Sequence, residues 1–220
     1  MNEFVTSAES YSLITEINKR IYLATKRLLD VILSLIGIII SLPIFIVIVP
    51  LVKLDSKGPV FFYHKRIGKN GSELKIYKFR TMVQNAGEIF ESFTKEQKEE
   101  YAKNFKLEND PRITKIGKFL RKTSLDELPQ IFNILKGEMT LIGPRPVVNG
   151  EIDKYGDRKG EFLSVTPGLT GWWACSGRSN TTYEERIELE LYYVKNMSFL
   201  LDVKCFFKTI ISVLNKEGAE

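Results

Sequence analysis

From Val31 to Val52 the chain carries no charged side chain, a run of 22 residues that is almost entirely aliphatic. As a helix this run is long enough to cross a hydrocarbon layer of roughly 30 Å. Residues 1–22, polar and mixed, predict a cytosolic leader with some helix. A secretory signal does not fit, because the apolar run is too long, lies behind a long approach and is followed by no small-residue cleavage site. A single crossing satisfies the hydropathy and conflicts with the charges. Lys19, Arg20, Lys26 and Arg27 precede the run and Lys53, Lys57, Lys65, Arg66 and Lys69 follow it, so the preference of basic residues for the cytoplasmic face pulls both ends to one side. Pro43, near the middle, removes a backbone donor, and Ser41 can satisfy a carbonyl that the proline frees. A helix-break-helix over residues 23–57, entering and leaving one leaflet, meets both constraints; on composition alone, spanning and re-entry stand even.

Past Gly58-Pro59 the period changes. Val60-Phe61-Phe62-Tyr63 and Leu74-Lys75-Ile76-Tyr77-Lys78-Phe79 flank Gly68-Lys69-Asn70-Gly71, which predicts a β-hairpin with an Asn-Gly turn. Lys78 and Arg80, two residues apart, share one face of an extended strand. Gln84–Glu108 is charged and helix-prone with a partial apolar stripe, a peripheral excursion to which no chemistry is assigned. Asn109-Asp110-Pro111-Arg112 is a turn, and Ile113–Leu120 leads on through a short helix. A helix over Leu128–Leu135 ends at Lys136-Gly137, a cation followed by a C′ glycine. Met139–Ile142 is a short buried run. Tyr183–Asn196 is amphipathic, with Ile187, Leu191 and Val194 on one face. Phe199–Leu214 is strongly apolar with lysines at 204 and 208, which suits a helix lying in a headgroup layer as well as a packed core helix, the interfacial reading being preferred. The fold class is therefore mainly α with a small β-hairpin, residues 58–220 forming one cytosolic domain with interfacial helices; composition alone leaves open whether the chain is a monotopic membrane protein with an N-terminal re-entrant helix-break-helix or spans the bilayer.

Composition narrows the chemistry. Thirty-two Lys and Arg against 27 acids leave a net charge of +5, which suits an anionic partner without choosing among lipid headgroups, phosphorylated substrates and nucleic acid. The uncharged 22-residue run has no place in a soluble nucleic-acid binder. Cys175 and Cys205 have no metal-type spacing and form no disulfide framework, and His64 is the only histidine. Neither a Walker A loop nor Gly-x-Gly-x-x-Gly occurs.

The densest chemistry lies in Arg121-Lys122-Thr123-Ser124-Leu125-Asp126-Glu127-Leu128-Pro129. Ser124 and Glu127 match a Ser-x-x-Glu capping box, a purely structural arrangement. Pro129 argues instead for a helix starting near Asp126, where its missing N–H costs nothing. A basic cluster followed by two adjacent acids is a set from which phosphoryl transfer draws a nucleophile, phosphate-neutralising cations and a metal-holding carboxylate. Arg145, clamped in Gly143-Pro144-Arg145-Pro146, loses little entropy on gripping a phosphate. Arg178, beside Gly177, is a further phosphate or nucleotide candidate. Trp172 and Trp173 are packing or interfacial anchors.

The run from Arg121 to Pro129 resembles the signature of the bacterial sugar transferases, or monotopic phosphoglycosyl transferases. The resemblance extends from about Lys26 to about Leu214, through Lys78-Phe79-Arg80-Thr81-Met82, Asn109-Asp110-Pro111-Arg112, Gly143-Pro144-Arg145-Pro146, Pro167-Gly168-Leu169-Thr170-Gly171 and Ser176-Gly177-Arg178, in that order. It implies a re-entrant helix broken at Ser41-Leu42-Pro43, in the bacterial inner (cytoplasmic) membrane, with the catalytic domain on the cytoplasmic face. It implies transfer of a sugar 1-phosphate from a UDP-sugar to undecaprenyl (polyprenyl) phosphate with release of UMP, a first membrane step of exopolysaccharide, capsule, O-antigen or glycoprotein glycan assembly. Under that resemblance Asp126 is the nucleophile that holds the phosphosugar, Glu127 binds Mg²⁺, and Arg121 and Arg145 neutralise phosphate oxygens, with Lys78, Arg80 and Arg178 assisting. The rival reading is a non-enzymatic membrane-anchored scaffold that binds anionic lipid.

Overall fold

The computed structural model describes residues 2–104, 107, 109–177 and 181–214. In chain order the elements are α1 (Asn2–Asp55), β1 (Phe61–Ile67), β2 (Glu73–Phe79), α2 (Ala86–Glu91), α3 (Lys95–Asn104), α4 (Lys115–Lys122), α5 (Gln130–Lys136), β3 (Thr140–Ile142), α6 (Asn149–Ile152), α7 (Lys159–Leu163), β4 (Gly168–Thr170), α8 (Trp172–Ser176), α9 (Tyr183–Lys195) and α10 (Phe199–Leu214). The chain is mainly α, as its periodicity predicts.

The leader and the apolar run form one helix. α1 has 54 residues, and no Gly or Pro stands between Asn2 and Leu35 to end it sooner. The boundary expected near residue 22 is therefore absent from the backbone. Pro43 and Pro50 lie inside α1 without interrupting it, because proline's fixed φ is helical and its cost is one lost hydrogen bond and a steric push on the preceding turn. Ser41 Oγ donates to Ile38 O at 3.1 Å, one residue before the Ile39 carbonyl that Pro43 leaves without its i→i−4 donor, so the serine does not take the role expected of it. The apolar side chains are left uncovered, Ile39 at 66%, Ile40 at 69% and Ile46 at 71% exposure. Each such side chain left in water forgoes roughly 1.5–3 kcal/mol of burial. A lipid environment recovers that energy, and the chain is accordingly membrane-associated.

β1 and β2 pair as a two-stranded sheet, joined by a 3-10 turn at Lys69–Gly71 in which Asn70 and Gly71 take positive φ, 55° and 81°. That is the predicted Asn-Gly turn. β3 and β4 form a second two-stranded sheet, parallel, in the register Thr140 to Gly168 and Ile142 to Thr170. The sequence predicts only the hairpin; strands of three residues are too short to show a period.

Contacts divide the chain into two units. The first holds the chain to Gly37, Lys65–Leu74 and the chain from Phe132 onward; the second holds Ile38–His64 and Lys75–Ile131. In the first, α1 presents an inward polar stripe. Lys26 Nζ meets Asp202 Oδ2 at 2.6 Å, and Tyr22 Oη donates to the same oxygen at 2.9 Å. Arg27 donates to Ile134 O and Leu135 O at 2.6 and 2.7 Å, satisfying the carbonyls at the end of α5, which stops at Gly137 (φ 84°) as a C′ glycine requires. The core of this unit packs Val147, Ile152, Tyr155, Phe162, Ile187 and Leu191 together. α9 opens with a reciprocal cap between Thr182 and Glu185.

In the second unit the C-terminal part of α1 supplies Ile48 and Val52 to a core with Phe79 and Leu120, against which Phe45, Ile116, Leu125 and Leu128 pack. Asp55 Oδ2, at the end of α1, accepts from Ile116 N at 2.9 Å, satisfying one of the free donors of the first turn of α4. Gly117 lets α4 lie directly on the backbone of Thr81, since a Cβ there would stand 2.1 Å from Thr81 O.

Candidate active site

The two acids sit in a turn of their own. Leu125–Glu127 is a 3-10 helix preceded by Ser124 in the left-handed region (φ 55°, ψ 16°), and α5 begins only at Gln130. Both sequence alternatives are thereby corrected. Ser124 makes no side-chain cap, so there is no capping box, and the helix starts after Pro129 rather than near Asp126, because that proline lacks the N–H a preceding turn would bond. The flanking Leu125 and Leu128 are packed on the α1 core, which fixes the turn that carries the acids.

Lys78 joins the pair. Its Nζ is 2.6 Å from Glu127 Oε1 and 3.7 Å from Asp126 Oδ2. The two carboxylates differ in access, with side-chain exposures of 11% for Asp126 and 39% for Glu127. Burial raises the Asp126 carboxyl above the ordinary aspartate range, and Lys78 is the largest influence pulling it back down, ahead of Arg121. Arg121, one helical turn after Gly117, donates from Nε to Thr81 Oγ1 at 2.9 Å and is otherwise solvent-exposed. Thr81 thus aims Arg121 as Gly117 admits the helix that carries it. The residues around Thr81 announce neither role, although a glycine inside a helical pattern is itself a sign of close backbone approach.

Arg80 does not join them. Its guanidinium donates to Lys57 O at 2.8 Å, Ser56 O at 2.6 Å and Val52 O at 3.2 Å, and the residue is buried. This corrects its expected role on phosphate: the side chain holds the carboxyl end of α1. β2 ends at Phe79, so the two-residue period that would align Arg80 with Lys78 stops one residue short. Arg112 is likewise structural. It pairs with Asp110 at 2.6 Å and lies about 5 Å from the ring centres of Phe90, Phe93 and Tyr101, so the peripheral excursion wraps this guanidinium. Burial opposes the charge on Asp110, but the Arg112 hydrogen bonds more than offset it and hold the carboxyl below its usual range.

Arg145 belongs to the first unit, on the segment after β3. That segment is anchored by backbone approach, with Gly143 N donating to Thr170 O and Gly168 N to Pro144 O, each at 2.8 Å. A Cβ on Gly168 would stand 2.2 Å from Gly143 N, and one on Gly143 would stand 2.8 Å from Thr166 O, which accounts for glycine at both places. Arg145 is exposed, with its guanidinium 5.8 Å from the Trp173 ring centre. Arg178 lies outside the described residues. Trp172 is an anchor as expected, against Tyr192, Lys204 and Lys208.

A Mg²⁺ ion would find Glu127, the more open of the two acids. Among the described residues no group of three or more His, Cys, Asp or Glu could hold a metal, and this donor set suits an ion that relies on one or two carboxylates plus substrate phosphates and water.

A membrane-associated helical protein with a lysine-bridged acid pair, carried on a turn whose leucines pack on its membrane helix, is thus defined. The chain belongs to the bacterial sugar transferase family, whose profile it matches over residues 21–216. It is 43% identical over 197 residues to the undecaprenyl-phosphate galactose phosphotransferase of Salmonella typhimurium, covering 88% of this chain and 41% of that one. It is 43% identical over 197 residues to the exopolysaccharide production protein ExoY of Rhizobium meliloti, covering 88% and 87% respectively. With the UDP-N-acetylgalactosamine-undecaprenyl-phosphate N-acetylgalactosaminephosphotransferase of Aeromonas hydrophila it shares 39% identity over 206 residues, 90% of this chain and 46% of that one. The chain therefore spans less than half the length of the Salmonella and Aeromonas relatives and most of the Rhizobium protein.

Proposed function

We propose that the protein transfers a sugar 1-phosphate from a UDP-sugar to undecaprenyl or another polyprenyl phosphate, releasing UMP, through a covalent phosphosugar on Asp126. The observation that carries this reading is Asp126 itself, a buried carboxylate with Lys78 at 3.7 Å, in a turn pinned to the helix that meets the membrane. Asp126 attacks the β-phosphorus, the bond from that phosphorus to the bridging oxygen breaks, and UMP leaves with the electron pair. An oxygen of polyprenyl phosphate then attacks the same phosphorus and returns Asp126 as a free carboxylate. Bound magnesium supplies charge neutralisation on the diphosphate. Lys78 keeps Asp126 ionised, Arg121 meets phosphate oxygens, Arg145 supplies a further phosphate contact, and Glu127 holds the metal.

The membrane elements serve the acceptor, whose phosphate stays at the lipid surface. α1 enters and leaves the cytoplasmic leaflet by bending at Pro43, inside the helix and without a break in it, with its basic flanks on the same side. α10 lies along the headgroups, exposing Leu200, Phe206, Phe207 and Ile211. The names of the relatives support galactose or N-acetylgalactosamine donors for a polysaccharide pathway. The test is to incubate the purified protein with UDP-galactose and UDP-N-acetylgalactosamine labelled in the sugar, without acceptor, and to map the label by peptide mass spectrometry. Label on Asp126, discharged by adding undecaprenyl phosphate, is the expected result. UMP release with no label on that residue overturns the covalent step.

A further inference from the structure

Pro144-Arg145-Pro146 has a single backbone donor, because neither proline carries an N–H. That donor, Arg145 N, goes to Glu190 Oε1 at 3.1 Å. Glu190 lies in the middle of α9 and is 1% exposed, an uncommon place for an acid without a dedicated partner. Burial pushes its carboxyl up to about 7, against the pull of the Arg145 N–H and the guanidiniums of Arg186 and Arg145. Among the described residues its second oxygen, Oε2, has no hydrogen-bond partner, nor have Nε and Nη2 of Arg186. Arg186 in turn lies 4.6 Å from the centre of the Trp173 ring, the ring that Arg145 also overlies. A carboxyl retained at this cost for one backbone bond has a purpose beyond packing α9, where a leucine would serve better.

We infer that Glu190 is a positioning residue, which by holding the backbone N–H of Arg145 fixes that guanidinium over Trp173 and so presents it to the donor's phosphate. The holding is done by reach and acceptor geometry rather than by charge. The inference rests on the phosphate role proposed above for Arg145, and the test separates the two.

Two conservative variants pull reach and charge apart. Glu190→Gln keeps an acceptor oxygen at the same distance and removes the charge; Glu190→Asp keeps the charge and withdraws the acceptor by one methylene. In the full-length protein in detergent, with UMP release from UDP-galactose and UDP-N-acetylgalactosamine as the readout, Glu190→Asp is expected to raise KM about tenfold with kcat little changed. Glu190→Gln stays within about twofold of the parent, and Glu190→Asp adds nothing in an Arg145→Ala background, as residues acting through one another require. The reverse order of the two variants, parental KM in both, or full multiplication of the penalties in the double variant overturns the inference. Emission from Trp173 in a Trp172→Phe background gives a readout that needs no turnover. If Arg145→Ala leaves KM unchanged, the phosphate role of Arg145 is wrong; a shift of Trp173 emission in Glu190→Asp, absent in Glu190→Gln, still establishes the hold on Arg145. No shift in either variant refutes it.

Discussion

Asp126 and Glu190 are both carboxylates that the fold removes from water, and the two units treat them differently. Asp126 sits in an irregular turn behind a left-handed serine, with a lysine ammonium at 3.7 Å and a sliver of its side chain still open. Glu190 sits in regular helix, fully enclosed, with one backbone N–H on one oxygen, no hydrogen-bond partner among the described residues on the other, and only the distant pull of the Arg186 and Arg145 guanidiniums. A group that must react needs a cation to keep it ionised and a path for the substrate. A group that only holds another residue needs neither, and tolerates a carboxyl near the edge of neutrality. Irregular backbone around the first and regular helix around the second fit that division, since a helix leaves no room for a phosphorus atom to approach a buried side chain.

The substitution that breaks the contrast most severely is Asp126→Asn. UMP release should fall by at least about 10³-fold, the loss usual when a nucleophile is removed. Stability should move the other way. The folded-state pKa of Asp126 is raised, so its protonated form stabilises the fold at low pH, and that contribution is lost as pH rises through the raised value. At neutral pH the neutral amide is free of this cost, so the thermal midpoint in detergent should equal or exceed that of the parent. A large drop in midpoint would mean that Asp126 is there to hold the turn.

Lys78→Met sharpens the same point with a smaller loss, about 10²-fold in UMP release at neutral pH. Because Lys78 lowers the Asp126 pKa, its removal should carry the acid limb of the pH–rate profile to higher pH. Activity requires the ionised nucleophile, so the variant should recover part of its loss as pH is raised. An acid limb that stays where it was would show that Lys78 acts on substrate alone.

Much of this was legible in the sequence, and what was not shares a cause. The uncharged run of α1, the Asn-Gly turn, the adjacent acids and the Lys136-Gly137 stop are all local signals, complete within a few residues. Lys78 was readable as a cation for an anionic site. Arg80 was not separable from it, because the choice between the acids and the carbonyls at Val52, Ser56 and Lys57 is made by the path of a chain more than twenty residues away. The β3–β4 pair is hidden for the same reason. Glu190 did leave a trace: it falls three residues after Ile187 on the apolar face of α9, a place where an acid calls for an explanation. Ser124 left none, since nothing in Thr-Ser-Leu announces a positive φ.

Lys78 and Arg80 can be told apart directly. Arg80→Met strips three charge-assisted bonds from the carboxyl end of α1 and should destabilise the protein by about 2–3 kcal/mol, measured by denaturant or thermal unfolding. KM for the UDP-sugar should be unchanged in the protein that remains folded. An increase in KM without loss of stability would return Arg80 to the phosphate.

Ser124 offers the smallest and most specific effect. A non-glycine residue in the left-handed region costs about 1–2 kcal/mol against its preferred conformations, and Ser124 makes no side-chain cap to offset that. Glycine carries no such penalty, though it frees the unfolded chain and returns part of the gain. Ser124→Gly should therefore raise stability by up to about 1 kcal/mol while UMP release stays within about twofold, because the turn it precedes is held from the other side by Leu125 and Leu128 in the α1 core. A β-branched residue at 124 magnifies the strain rather than relieving it, so Ser124→Val should lower the thermal midpoint and UMP release together. If Ser124→Gly instead stabilises the fold and abolishes UMP release, the serine hydroxyl takes part in the chemistry, and the left-handed turn exists to present it beside Asp126.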